Sequence, residues 1–260
     1  MSRGTLVLVR LGAIAAFVAG SGAAPALAQE TPVPDKASWP YPVGDRMTYS
    51  NVRFDLLEYQ RVNDVDGVRW NVVGWHGGDQ HRFWLKSEAS LYPDRRGGGE
   101  WDIQALYGKL VTPFFDLQTG LRVEQHHEVD NTPVRAFGVI GLQGLSPYRF
   151  DIEPTLFVSH KGKLSARVAA TYDTRITQRL VLQGRGETEL AAQRDEEFGV
   201  DRGVDDVEVG IRMRHEIRRE FAPYVGVSYR RSFAATGDRV RREGGIPSAV
   251  EVSAGVRTWF

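Results

Sequence analysis

The last thirteen residues, Ser248 to Phe260, put Val250, Val252, Ala254, Val256, Thr258 and Phe260 on one side of an extended chain. Glu251, Ser253, Gly255, Arg257 and Trp259 fall on the other. A period of two is the signature of a pleated strand with one apolar face. It recurs upstream. Phe115, Leu117, Thr119, Leu121 and Val123 alternate with Asp116, Gln118, Gly120, Arg122 and Glu124. Leu164, Ala166, Val168, Ala170 and Tyr172 alternate with Ser165, Arg167, Ala169, Thr171 and Asp173, and Val207, Val209, Ile211 and Met213 with Glu208, Gly210, Arg212 and Arg214. Helical periodicity is not sustained anywhere beyond residue 28, so the chain is read as all-β.

About twelve such segments lie between turn signals, near 49–62, 67–77, 81–91, 100–111, 114–125, 133–143, 149–160, 163–173, 178–191, 204–216, 219–232 and 248–260. The connections tend to alternate. Most odd-numbered ones are longer and charged (NDVDG, YPDRRGGGE, HHEVDNTP, QRDEEFGVD, GDRVRREGG), although Lys161-Gly162 breaks the pattern. The even ones are tight (GGDQ, TPF, GLSP, TRIT, RRE). Short turns at one end and longer loops at the other are expected of a barrel that crosses an outer membrane.

Alternation alone also fits a secreted β-sandwich. Three features favour the barrel. The polar phase carries long side chains of both signs (Arg149, Glu153, Arg167, Arg179, Arg185, Glu187, Glu189, Glu208, Arg212, Arg257), which an enclosed lumen can pair with one another. The segments are long enough for a tilted strand to cross a bilayer, which takes about 9–11 residues. The chain also finishes on Trp259-Phe260 inside an alternating segment, and closure of the last strand leaves no edge exposed to lipid. Tyr49, Trp101, Tyr107, Phe114, Phe150, Tyr172 and Phe221 stand near segment ends, where aromatic girdles form. Pro154 counts against its own segment, because it removes a ladder donor. The expected fold is thus a transmembrane antiparallel up-and-down β-barrel of about 12 strands, spanning residues 47–260.

Ahead of it, residues 1–28 read as a signal peptide. Arg3 and Arg10 form a basic start, Leu11 to Val18 an apolar core, and Ala26-Leu27-Ala28 a cleavage site. Residues 29–46 hold Pro32, Pro34, Pro40 and Pro42 and read as an extended periplasmic segment. Removing residues 1–28 would leave 31 basic against 33 acidic residues. That balance gives no basic excess for nucleic acid, and zero cysteines exclude disulfides, thiol catalysis and Cys-ligated metal. Gly97-Gly98-Gly99 has no following helix or Lys-Ser/Thr pair, so it is not a phosphate loop. No G-x-S-x-G is present, Ser159 and His160 diverge as neighbours on a strand, and Glu187 and Glu189 share a face with Arg185. No enzyme is expected.

Longer blocks of the sequence resemble the copper resistance protein B family. They include His81-Arg82-Phe83-Trp84-Leu85-Lys86, Pro113 to Gly120, Gly141 to Tyr148, Thr174 to Leu180, Arg212 to Val225, and the terminal Ala254 to Phe260. The resemblance covers roughly Gly44 to Phe260. It implies a cell outer membrane protein of Gram-negative copper homeostasis that binds copper ions or moves them out of the periplasm, alongside a periplasmic multicopper oxidase. The alternative is a general or structural barrel, a passive pore without specific copper binding. One departure stands out: residues 29–46 hold neither Met nor His, where similar proteins often carry a segment rich in both. Copper would then have to meet the barrel itself.

The ligand inventory is short. His76 and His81 flank Gly77-Gly78-Asp79-Gln80, so a hairpin would bring both rings and Asp79 to the periplasmic mouth, a donor set that suits Cu(II). His126 and His127 begin an outer loop beside Glu128 and Asp130. His160 and His215 stand alone near segment ends, and Met213 lies on the apolar phase. The expected metal residues are His76, Asp79, His81, His126 and His127.

Overall fold

The computed structural model describes residues 47–93, 98–127, 134–195, 200, 202–233 and 247–260. The signal peptide and the Pro-rich segment expected at residues 1–46 lie outside it, as do Glu128, Asp130 and much of the four longest connections.

Among the described residues twelve strands form a closed barrel: β1 (Tyr49–Val62), β2 (Val65–Gly77), β3 (His81–Tyr92), β4 (Gly98–Thr112), β5 (Phe115–His127), β6 (Val134–Leu145), β7 (Phe150–Ser159), β8 (Leu164–Arg175), β9 (Leu180–Ala191), β10 (Gly203–His215), β11 (Phe221–Ser232) and β12 (Ser248–Trp259). Each pairs antiparallel with its sequence neighbours, and β12 pairs with β1 to complete the ring. The C-terminal residue fastens that seam. Phe260 and Val52 exchange backbone hydrogen bonds of 2.9 and 3.1 Å, and the Asn51 amide donates to the Phe260 carbonyl at 3.2 Å. Closure leaves neither end of the sheet as an unpaired edge, as hydrocarbon demands.

The apolar phase faces outward. Leu121 is 67% exposed, Ile140 57%, Ile211 57% and Val252 56%, while Glu208 at 7%, Arg212 at 4% and Glu251 at 3% face in. Apolar side chains on the outside and ions within is the polarity of a barrel solvated by lipid, the reverse of a water-soluble sandwich. A belt of outward aromatic residues (Tyr49, Phe83, Tyr107, Phe114, Phe150, Tyr172, Phe221) rings the end that carries the short turns.

Three local departures have physical causes. The first outer connection is only Asn63-Asp64, not the longer NDVDG loop that the sequence suggests. Both residues have positive φ, at 47° and 67°, the left-handed pair that a two-residue hairpin turn requires and that Asn and Asp tolerate. Pro154 leaves β6 and β7 in register on both sides, from Gly141↔Thr155 to Gly144↔Ile152, with two positions between them unpaired. Arg149 and Arg179, which sequence periodicity puts on the inward phase, instead sit exposed in short turns, Arg149 with φ 66°.

Candidate functional site

The inner wall is built from ion pairs that cross strands. Glu208 on β10 accepts from Arg69 on β2 at 2.9 Å and from Arg230 on β11 at 2.7 Å. Arg122 bridges Asp102 and Glu124, each at 2.9 Å. Arg167 meets Glu88 at 3.0 Å, Lys86 meets Glu153 at 2.5 Å, and Glu58 accepts from the Tyr224 hydroxyl at 3.0 Å and faces Arg212 at 3.4 Å. A buried charge is tolerable only when it is paired and hydrogen-bonded. Most of these pairs join one strand to a neighbouring or facing strand, and Arg122–Glu124 lies within β5. A bulge between Phe54 and Leu56 on β1 allows Asp55 to take both Arg53, at 2.7 Å, and Arg257, at 3.2 Å.

An apolar row runs through this ionic wall. Trp75, Trp84, Leu106, Gly120, Val139 and Phe157 are successive hydrogen-bond-ladder partners from β2 to β7. Trp84, Leu106, Val139 and Phe157 are buried, and Phe137 joins them with its ring 6.0 Å from that of Phe157. The guanidinium of Arg122 lies 4.7 Å from the Phe157 ring centre and 5.6 Å from that of Phe137. Arg135 and Arg167 approach the same two rings at 5.2 and 5.7 Å. The aromatic faces thereby hold three cations close together.

Above the row lies a cavity of about 330 Å³. Its strand residues come from the halves farther from the short turns, so it belongs to the outer end. Among the described residues that line it are nine carboxylates against five guanidiniums, with His126. Register explains the surplus: Glu187 stands opposite Glu208, and Glu189 opposite Asp206. Like charges directly opposite destabilise a sheet unless they are compensated. Glu187 is matched by Arg185 at 2.6 Å and Glu208 by two arginines, whereas Glu189 and Asp206 have no ion pair among the described residues. His126 points into the same space, its Nε2 3.5 Å from Glu124 and 3.8 Å from Glu100. Glu124 is also bound by Arg135.

The other expected ligands lie elsewhere. His76, exposed on the outer face of β2 near the short turns, has Nδ1 2.8 Å from the Ser50 hydroxyl. His81 opens β3, also exposed, with Nδ1 2.5 Å from the Tyr107 hydroxyl and its ring stacked on that tyrosine. Asp79 sits exposed in the intervening turn and accepts from Arg82 through its carbonyl, at 3.4 Å. His127 is the final residue of β5, opposite Gly99. Among the described residues no group of three or more His, Asp or Glu side chains is arranged to hold a metal ion. Met213 is 43% exposed on the lipid face. The carboxylates of β9 and β10 escape sequence reasoning, because alternation shows which face a residue takes but not what stands across the ladder.

Comparison with known proteins gives concordant results. The sequence model of a family described as "Copper resistance protein B precursor (CopB)" matches residues 48–260. Copper resistance protein B of Escherichia coli is 41% identical over 212 residues, covering 80% of this chain and 69% of that protein. Its homolog in Pseudomonas syringae pv. tomato (strain ATCC BAA-871 / DC3000) is 35% identical over 208 residues, covering 79% and 68%. Among solved structures, a NanC porin superposes with a TM-score of 0.51 at 12% identity, covering 81% of this chain and 99% of that one. The last likeness concerns the barrel fold alone.

Proposed function

Because this chain belongs to the copper resistance protein B family, an outer-membrane barrel of copper resistance, we propose that it binds copper ions as cargo in the outer cavity of its lumen. There it sequesters them from the periplasm or assists their export. The observation that carries the reading is the opposed carboxylate pair Glu189 and Asp206, which has no ion pair among the described residues and shares one cavity with His126, Glu124 and Glu100. The excess negative charge attracts a cation into that space, and imidazole with carboxylate is a donor set for Cu(II) rather than Cu(I). Of the two methionines in the described barrel, Met47 precedes β1 and Met213 faces lipid. A thioether site for Cu(I) within the lumen is therefore not part of the reading.

His76, Asp79 and His81 form a second, periplasmic candidate, at which copper would dock before it enters. Each ring spends Nδ1 on a hydroxyl neighbour and keeps Nε2 for a metal. His127 would extend the outer set. A periplasmic multicopper oxidase is the protein that the family resemblance implies as the supplier or consumer of the ion.

The test is a Cu(II) titration of the folded barrel, followed by tryptophan quenching and calorimetry. The variants are His126→Ala/His127→Ala, His76→Ala/His81→Ala and Glu189→Gln/Asp206→Asn. Loss of at least tenfold in affinity is expected in the first and third. Binding as tight as wild type in all three would discard the lumenal site and the histidine set together.

A further inference from the structure

The short-turn end of the barrel is electrically lopsided. Three turns that neighbour one another around the ring join β6 to β7, β8 to β9 and β10 to β11. The turns and the residues flanking them carry Arg149, Arg175, Arg179, Arg218 and Arg219, all exposed and none with an ion pair among the described residues, against Glu216, which is paired with Arg214, and the exposed Glu220. Each turn also lifts one large apolar side chain into solvent: Tyr148, 86% exposed, and Ile176 and Ile217, each 52% exposed. The β2–β3 and β4–β5 turns contain no arginine.

These tips are held in place. Tyr148 and Arg149 both have φ near 67°, a left-handed conformation unusual for such residues, in a turn closed by the Ser146 N–H donating to Phe150 at 2.7 Å. The Glu216 N–H donates to the Arg179 carbonyl at 2.7 Å and ties the second tip to the third. The Trp259 indole donates to the Arg219 carbonyl at 2.8 Å. Arg214, buried inside the barrel, binds Asp173 at 2.9 Å and Glu216 at 3.5 Å, which draws these turns toward the lumen mouth rather than toward lipid.

From this juxtaposition we propose that the three turns form a docking surface for a soluble periplasmic protein presenting an acidic patch with apolar gaps. Tyrosine and arginine are the side chains that dominate such interfaces, and a preordered surface loses little entropy on binding. Charge complementarity sets the partner's sign. The apolar tips lie beyond the outward belt of Phe150, Tyr172 and Phe221, which favours a protein over the bilayer. The surface stands apart from the copper reading and survives its failure.

Photo-crosslinking in the intact envelope tests it. A benzophenone amino acid replaces Tyr148, Ile217 or, as a control in the β2–β3 turn across the mouth, the exposed Gln80. The expected product is one discrete adduct from positions 148 and 217 with a soluble periplasmic protein, mapped by mass spectrometry to an acidic patch and absent from position 80. Charge reversal with Arg175→Glu/Arg218→Glu/Arg219→Glu should reduce it at least tenfold, while the barrel still resists unfolding in detergent. Adducts with lipid only, an intramolecular adduct to residues 29–46, no adduct, or an adduct indifferent to charge reversal would each overturn the proposal.

Discussion

Glu208→Gln is the sharpest probe of the lumen, because it changes one charge and almost no volume. In the native wall the Glu208 carboxylate lies 2.9 Å from Arg69 and 2.7 Å from Arg230, and is 7% exposed. Two unit charges about 4 Å apart attract by roughly 4 kcal/mol at an effective dielectric of about 20. Desolvation and the repulsion between the two guanidiniums take back much of that sum. Arg230 has Glu251 at 3.8 Å and Glu100 at 3.9 Å in reserve. Arg69 has no other ion pair among the described residues, so the amide variant strands it. Breaking a buried pair in this way costs about 3–5 kcal/mol. The lower end, about 3 kcal/mol, is expected here, since the adjoining cavity admits water.

Denaturant unfolding of the barrel refolded into lipid vesicles, followed by tryptophan fluorescence, measures the loss. The companion is Arg69→Met/Glu208→Gln, which removes the stranded cation as well as the anion. Its stability should exceed the sum of the two single variants by about 2 kcal/mol, because replacing a buried pair outright is often close to neutral. A Glu208→Gln loss below about 0.5 kcal/mol, together with no coupling in the double variant, would mean that these charges behave as exposed ones. The enclosed-lumen account of the fold's stability would then fail.

Two further outcomes follow from the same architecture. Ile140→Arg, at the middle of β6 on the lipid face, should destabilise the barrel by about 2–4 kcal/mol, whereas Leu145→Arg near the belt should cost about 0–1 kcal/mol; equal losses in vesicle unfolding would contradict the assigned membrane position. In the β9–β10 connection, burial alone would push the Asp195 carboxyl up, but the Lys163 ammonium, 2.8 Å away and hydrogen-bonded to it, holds it below the usual carboxylate range. A depressed native value stabilises above the unfolded value and is lost as pH falls through the native one. The bridge in which Asp195 and Val200 exchange backbone bonds of 2.8 and 3.0 Å should therefore loosen on acidification, by no more than about 1 kcal/mol. Hydrogen exchange at those two amides, corrected for intrinsic rates, reads this directly, and Asp195→Asn should remove the dependence.

Much of the barrel is legible in the chain because bilayer and lumen impose opposite solvents on alternate residues. Ser248 to Phe260 is an example: each side chain's face follows from its parity, and the observed strand stops one residue short of the expected end. The twelve strands begin and end within about two residues of the expected segments. Parity fails where the lumen accepts apolar side chains. Phe157, Val139 and Leu106 look lipid-facing by type, yet they face in, because a six-strand ladder row stacks them against one another and against arginines. Turn residues fail for another reason. Arg149 and Arg179 continue a numerical alternation past the point where backbone φ changes sign or the ladder ends. Expectations about ligands are weaker still. The sequence pairs His76 with His81 across a turn, and it gives no indication that His126 meets Glu100 from the neighbouring strand.

The positions of charge within the barrel bear on direction. Toward the short turns the lumen is filled by Trp75, Trp84 and the paired ions Lys86–Glu153, Arg82–Asp116 and Arg214–Asp173, each cation matched by a nearby anion. Toward the long connections matching gives way to surplus: two opposed carboxylates have no ion pair among the described residues and stand beside a cavity and an imidazole. The inner half leaves Asp151 as its one such carboxylate on the inward phase of β7 among the described residues, so under the copper reading a cation is drawn mainly toward the outer end. The rim facing the periplasm adds a second asymmetry, since on one side of it five arginines without ion pairs among the described residues repel a free cation while attracting an acidic protein. The β2–β3 turn across the mouth, between His76 and His81, carries Asp79 and no arginine. The repulsion is therefore confined to one side, and under the copper reading an ion from the periplasm would approach along the side that bears the proposed docking histidines.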